Sequence, residues 1–178
     1  MKPENLIMDS ESKIPQVKVI DLGLGQSFEN IKFLTQSKGS IYYMAPEQLK
    51  KQYNHKADIW SCGVILYILI TTVAPFDAKR MNENGNQVLD REKIKKKILM
   101  EDPNYLHPNF DDVDSNVISL IKEMLQKNPN DRPNASRILT NKWFNDTIEN
   151  PHRKEGIHNT KCFTKSWTTC KNSTVTRY

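Results

Sequence analysis

Between Asp58 and Asp77 the chain carries no charge, and the run IWSCGVILYILITTVAPF is apolar on every side of a helical wheel. Such a pattern predicts a helix buried on all faces, capped by Asp58, running from Ile59 and stopped near residue 74 by Pro75. A membrane span wants about 20 apolar residues, and Ser61, Thr71 and Thr72 interrupt this run. Two amphipathic patterns follow it. In DREKIKKKILM, Ile94 and Ile98 lie one turn apart while Lys95 to Lys97 face water. Asp114 precedes a stripe of Val117, Ile118, Ile121, Met124 and Leu125 at helical spacing, and Pro129 follows its end. Ala135 to Leu139 begins a last core helix, docked by Trp143 and Phe144, and Pro46 starts a short helix carrying Glu47 and Leu49. Near the start, Asn5 to Met8 and Val17 to Ile20 read as short strands of one hairpin. MNENGNQVLD reads as a polar insert, EDPNYLHPNF as irregular, and residues 26–43 as a long loop. A structureless loop of that length in a compact domain points to function.

The 178 residues, 37% of them hydrophobic, suffice for one domain with a real core. The net charge of +5 resides in the tail: Arg153, Lys154, Lys161, Lys165, Lys171 and Arg177 stand against Glu155 alone. Residues 1–150 balance, so the core has no electrostatic reason to seek nucleic acid. The Ser/Thr-rich tail reads as a solvated, flexible segment. Cysteines are sparse. Cys62 reads as a small buried hydrophobe, and Cys162 with Cys170 lack a metal-ligand spacing. This usage, and the absence of an apolar stretch ahead of the acids in MKPENLIMDSE, fit a reducing, intracellular (cytoplasmic) setting rather than a secreted one. The N-x-S/T triplets at Asn134, Asn145 and Asn172 carry little meaning there.

Five separated pieces then fall in order: MKPEN before the first strand, VIDLG after the second, GSIYYMAPE closing the long loop, DIWSCGVILY, and NPNDRP. The set resembles the protein kinase family, specifically its C-terminal lobe. MAPEQL, KADIWSCGVILYILI, PF, NPNDRP and KWF make it similar to the calcium/calmodulin-dependent and the plant- or protist-type calcium-dependent Ser/Thr kinases. The resemblance covers residues 1–145 as a partial kinase domain and leaves 146–178 as the basic tail. It implies a mainly α fold, a kinase-like C-terminal lobe with a small β-hairpin at its N-terminus and no small lobe.

Site roles follow from the resemblance residue by residue. Asp21 matches the Asp of the family's Asp-Phe-Gly motif and would hold Mg²⁺ on the phosphates of ATP; Gly23 is that motif's glycine. Asn5 matches the catalytic-loop Asn that takes a second Mg²⁺. Lys2 matches the catalytic-loop Lys, whose ammonium steadies the transferring phosphoryl group. Glu4 matches a position that meets basic residues of peptide substrates. Ser40 stands where the family usually has Thr, facing the substrate hydroxyl, and Leu22 replaces the usual Phe. Glu47 would pair with Arg132 in a buried ion pair, and Asp58 would accept backbone N–H bonds from the catalytic loop. Thr35, Ser37 and Ser40 are candidate modification sites. Read without the family, Asp21 is a turn residue as readily as a ligand, and Lys2 is a solvated charge; their joint placement at two strand ends favours a nucleotide site.

Much of the machinery is not in these residues. The family places His-Arg-Asp just before the segment matched by MKPEN, and its Asp orients the substrate hydroxyl. Neither that motif, nor a Gly-rich phosphate loop, nor the small-lobe Lys and its Glu, nor a D-x-[DN]-x-[DN]-G calcium loop occurs in the sequence. Met1 stands where relatives carry Leu or Ile, so the expectation is an N-terminally truncated domain, catalytically inert by itself. The intact parent would move the γ-phosphoryl of ATP to protein serine or threonine. The other reading is a non-catalytic, protein-binding scaffold whose contact surface is the face of the Ile59 to Leu69 helix left open by a missing lobe or partner.

Overall fold

The computed structural model describes residues 1–9, 16–21, 23, 25, 33–35 and 39–144. The candidate positions Leu22, Ser37, Cys162 and Cys170, the triplets at Asn145 and Asn172, and the tail lie outside them. The fold is mainly helical, with two separate two-stranded hairpins. Strands β1 (Leu6–Asp9) and β2 (Gln16–Val19) pair antiparallel, Leu6 opposite Val19 and Met8 opposite Val17. Period-2 alternation puts Leu6, Met8, Val17 and Val19 on one face. Met8, Val17 and Val19 are exposed, so this face is apolar and open.

The helical body is built around α2 (Lys56–Thr71). Trp60, Val64 and Tyr67 are buried on it, and Trp60 stacks on Phe76 with ring centroids 5.8 Å apart. Helix α3 (Arg91–Met100) sinks Ile94 and Ile98 into the same core, and Asp90 caps it by accepting the Lys93 N–H at 3.0 Å. Of its lysine run, Lys96 is exposed, while Lys95 and Lys97 are half-buried and Lys95 pairs with Glu92. Helix α4 (Ser115–Met124) buries Val117, Leu120, Ile121 and Met124, and Asp114 caps it through the Asn116 N–H. It crosses α2 at Gly63, where even a β-carbon would come within 2.9 Å of Met124 Cβ. The glycine thus sets the spacing of the two helices. Short helices α1 (Pro46–Leu49) and α5 (Ala135–Leu139) flank this pair, and Trp143 and Phe144 pack over Ile59, Leu120 and Met124.

Three expectations need correction. The buried helix begins at Lys56, with His55 at its cap position, so Asp58 sits inside the first turn and does not cap it. It ends at Thr71, before Pro75 can act, because Thr72 adopts a left-handed φ of 65° and bonds back to the Ile68 carbonyl. Cys62 is exposed, since it lies about 200° round the helix from the buried Trp60. The polar insert also holds a second hairpin, β3 (Lys79–Met81) with β4 (Gln87–Leu89). Its turn is organised by Asn82, whose side-chain oxygen accepts the N–H groups of Asn84 and Asn86, and by Gly85 at φ 74°. No helix among the described residues is long and apolar enough to cross a membrane.

Candidate functional site

The β1–β2 register brings the candidate phosphate and metal residues together. Pairing of Leu6 with Val19 places Asn5 across from Ile20, whose N–H it accepts at 2.8 Å, and Asp21 is the next residue out. The Asn5 amide nitrogen donates to the Asp21 carbonyl at 3.4 Å, so this contact does not use the amide oxygen, an acceptor. Asp21 takes φ 58°, a left-handed conformation that Asp tolerates better than most residues but still at a cost. Its Oδ1 accepts the Gly23 N–H at 3.3 Å, and a β-carbon at Gly23 would press on that same oxygen at 3.3 Å. An amide oxygen and a carboxylate oxygen at one open hairpin end suit Mg²⁺, which needs few protein ligands when phosphates and water supply the rest. Lys2 precedes the 3-10 turn Pro3–Asn5, which closes with the Asn5 N–H on the Lys2 carbonyl at 3.1 Å. Lys2 is half-buried and Glu4 exposed beside it.

Ser40 belongs to a second locus. It is exposed at the start of the 3-10 turn Ile41–Tyr43, which the fully buried Ile41 pins to the core. Ser61 on α2 donates to the Tyr43 carbonyl at 2.9 Å, and the Ala45 N–H donates to Gln48 Oε1 at 2.9 Å. Tyr42 donates its hydroxyl to Asp77 at 2.9 Å, tying the loop to the segment after α2. Burial, together with this carboxylate, holds the Tyr42 phenol well above its ordinary value. No hydrogen bond or ion pair among the described residues joins Ser40 to Lys2, Asn5 or Asp21.

Beneath this loop lies the buried pair. Arg132 donates through Nη1 and Nη2 to the two oxygens of Glu47, at 2.5 and 2.7 Å. Its remaining donors meet the carbonyls of Gln126, Lys56 and Lys127, and the guanidinium lies 5.0 Å over the Trp60 ring. Lys56 reaches the Arg132 carbonyl with its ammonium at 2.6 Å. The buried ion pair is thereby satisfied on both sides, the condition under which burial of charge is tolerated. Asp58, in the first turn of α2, accepts from the terminal ammonium of Met1 at 3.4 Å; no backbone N–H bond to its carboxylate is seen among the described residues.

Sequence reasoning passed over Tyr42, Asp77, Ser61 and Lys127. The first three are single polar residues whose partners lie far along the chain. Lys127 carried one signal, its place beside NPNDRP.

A two-stranded hairpin, a pinned loop, a buried Glu–Arg tie and a central apolar helix, in this chain order, make up a mainly helical large lobe without a closed β-sheet lobe. The family model described as protein kinase domain matches residues 1–144, and the chain belongs to the protein kinase family. Within that family it is similar to kinases of the calcium-dependent type. It is 36% identical over 152 residues to calcium-dependent protein kinase 21 of Oryza sativa subsp. japonica, covering 85% of this chain and 25% of that protein. It is 37% identical over 146 residues to calcium-dependent protein kinase 27 of Arabidopsis thaliana, covering 82% of this chain and 28% of the relative. With calcium-dependent protein kinase 4 of Plasmodium berghei (strain Anka) the match is 34% over 171 residues, 92% and 30% of the two chains. The chain therefore spans between a quarter and a third of the length of these relatives.

Proposed function

We propose that these residues are the large-lobe part of a Ser/Thr protein kinase, and that the complete enzyme transfers the γ-phosphoryl of ATP to a serine or threonine of a protein. The observation that supports this most is the convergence of Asn5 and Asp21 at one hairpin end, with Gly23 bonded to the Asp21 carboxylate. In this reading Asn5 Oδ1 and the free Asp21 oxygen hold Mg²⁺, which when bound neutralises charge on the nucleotide phosphates. Lys2 sets its ammonium against the transferring group, Ser40 faces the acceptor hydroxyl, and Glu4 attracts basic residues of the substrate. Glu47 and Arg132 fix the loop that carries Ser40. We place the work in an intracellular, reducing compartment on the sparse cysteine usage of the sequence.

The chain by itself is inert in this reading. No His-Arg-Asp and no G-x-G-x-x-G occurs in its 178 residues, so neither hydroxyl orientation nor phosphate grip is supplied from within. Losing positioning and base together removes many powers of ten in turnover. The matched relatives are calcium-dependent by name; a calcium response here would have to reside outside these residues. The test is ATP turnover by the purified chain against a Lys2→Ala/Asp21→Ala double variant. Equal, background rates are expected, and turnover above the variant would refute the inert reading.

One observation favours a second reading, a non-catalytic binding module. The hairpin face of Met8, Val17 and Val19 is 52, 57 and 46% exposed, a contiguous apolar surface of the kind partners cover. That reading requires a soluble chain with a cooperative unfolding transition; elution only as aggregate, without such a transition, removes it.

A further inference from the structure

Lys127 lies at the boundary of two open clefts remote from the hairpin end. The larger, of about 450 Å³, is lined by Asp102, Tyr105, Lys122, Leu125 and Gln126 as well as Lys127. The other brings Lys127 beside Glu47 and Leu99. Its ammonium sits 4.3 Å from the Phe76 ring centroid and 5.2 Å from that of Trp60, and it donates to the Ile98 carbonyl at 2.8 Å. Ile98 is in the last turn of α3, so this is a helix-end carbonyl that needs an outside donor. No carboxylate among the described residues forms an ion pair with Lys127. The local carboxylates are Glu101 and Asp102 after α3, with Asp131 on the cleft wall. The local cations are Lys122 on α4 and Arg132, whose charge Glu47 already satisfies. An amine held by rings and one carbonyl, without a counter-ion, loses more from desolvation than it regains.

We propose that Lys127 is an acylation site, at which the ε-amine takes a short acyl group from an acyl thioester entering the larger cleft. The nitrogen lone pair attacks the thioester carbonyl carbon and the C–S bond breaks. The sulfur leaves with the bonding pair and takes up the proton shed by nitrogen, giving an amide and a thiol. The fold favours this product over an imine from an aldehyde. An amide keeps one N–H for the Ile98 carbonyl, whereas a neutral imine would strand that carbonyl. Acylation also removes a cation from beside Arg132 and places a small apolar group against Phe76 and Trp60. Burial, opposed by Asp102 and Glu101 and assisted by Arg132, pushes the Lys127 ammonium down to about 8, so a good fraction is nucleophilic near neutral pH.

The experiment treats the full chain with S-acetyl-N-acetylcysteamine from pH 6.5 to 9.5, natively and in urea, and follows each lysine by mass spectrometry. At pH 7.5 the native chain is expected to acylate Lys127 about tenfold faster than the exposed Lys93 and Lys96, since the gain in free amine outweighs the lower basicity of the nitrogen. In urea the three should react alike. Asp102→Asn removes a carboxylate that favours the charged form and should raise the Lys127 rate at pH 7.5 about two- to threefold. Lys127→Arg should abolish the fast product. A native Lys127 that reacts no faster than Lys96 overturns the proposal, as does an equal advantage in urea.

Discussion

The hairpin end and the Glu47–Arg132 centre are both polar clusters, and they are built on opposite terms. Asn5 and Asp21 are joined by a single contact of 3.4 Å at the surface, on a hairpin whose second strand is exposed at every position. Arg132 is essentially buried and spends its donors on a carboxylate and three carbonyls from three parts of the chain. Under the proposed function, a group that must meet phosphate and cation has to stay open, and gains little from its neighbours. A group that holds the loop in place must be buried and fully satisfied, and the fold depends on it. The proposed chemistry and the architecture thus fall in separate regions, linked by the Met1–Asp58 contact and by the loop that carries Ser40.

This contrast can be broken at several levels. The largest effect belongs to Arg132→Ala, which leaves Glu47 buried without its partner and should cost about 3–5 kcal/mol by denaturant unfolding. Gly63→Ala follows. Its new methyl meets the Met124 and Leu125 side chains at 2.9 and 3.0 Å, and overpacking of α2 against α4 should cost about 1–3 kcal/mol. Tyr42→Phe removes the bond to Asp77 and should cost about 0.5–1.5 kcal/mol. Asp21→Asn, which keeps tolerance of the left-handed backbone, should change stability by less than about 0.5 kcal/mol while weakening Mg²⁺-nucleotide capture in the complete enzyme, read by calorimetric titration.

Titration sharpens the same comparison. Lys127 is held at about 8 in the fold and returns to its ordinary value near 10.5 when unfolded. Between these values the unfolded chain binds more protons, so this group makes stability rise with pH over that window. Tyr42 and Tyr105 are shifted upward, chiefly by burial, from an ordinary value of 10.0. Above that pH the unfolded phenols ionise first, and stability falls. Unfolding midpoints measured from pH 7 to 11 should crest near pH 9–10, and Lys127→Gln should flatten the rising limb.

The helical body was largely legible in sequence, because burial leaves a periodic trace. Ile94 with Ile98, and Val117 with Ile121 and Met124, mark their faces directly, and Asp90 and Asp114 are capping residues before apolar runs. The β3–β4 hairpin left no such trace: its strands are three residues each, too short to show a period, and most of their positions are exposed. Cys62 was misjudged because a helix apolar all round does not reveal which side its neighbours leave open. The start of α2 was missed because a charged first turn, Lys56 to Asp58, reads as a boundary. At the candidate site, the residue types and order of Lys2, Asn5 and Asp21 could be read by resemblance. Tyr42–Asp77 and the surroundings of Lys127 depend on contacts between distant segments, for which no local pattern exists.

Glu47 and Arg132 are 85 positions apart. At a synthesis rate of about 5–20 residues per second, Glu47 is made some 4–17 s before its partner. During that interval burying the carboxylate would cost more than any local contact returns, so the Pro46–Leu49 turn stays hydrated and unlocked. The tie therefore acts as a completion signal. The loop that carries Ser40 acquires its final support only once the chain has been translated through Arg132, and ribosome-bound intermediates stopped before that residue should expose this loop to protease.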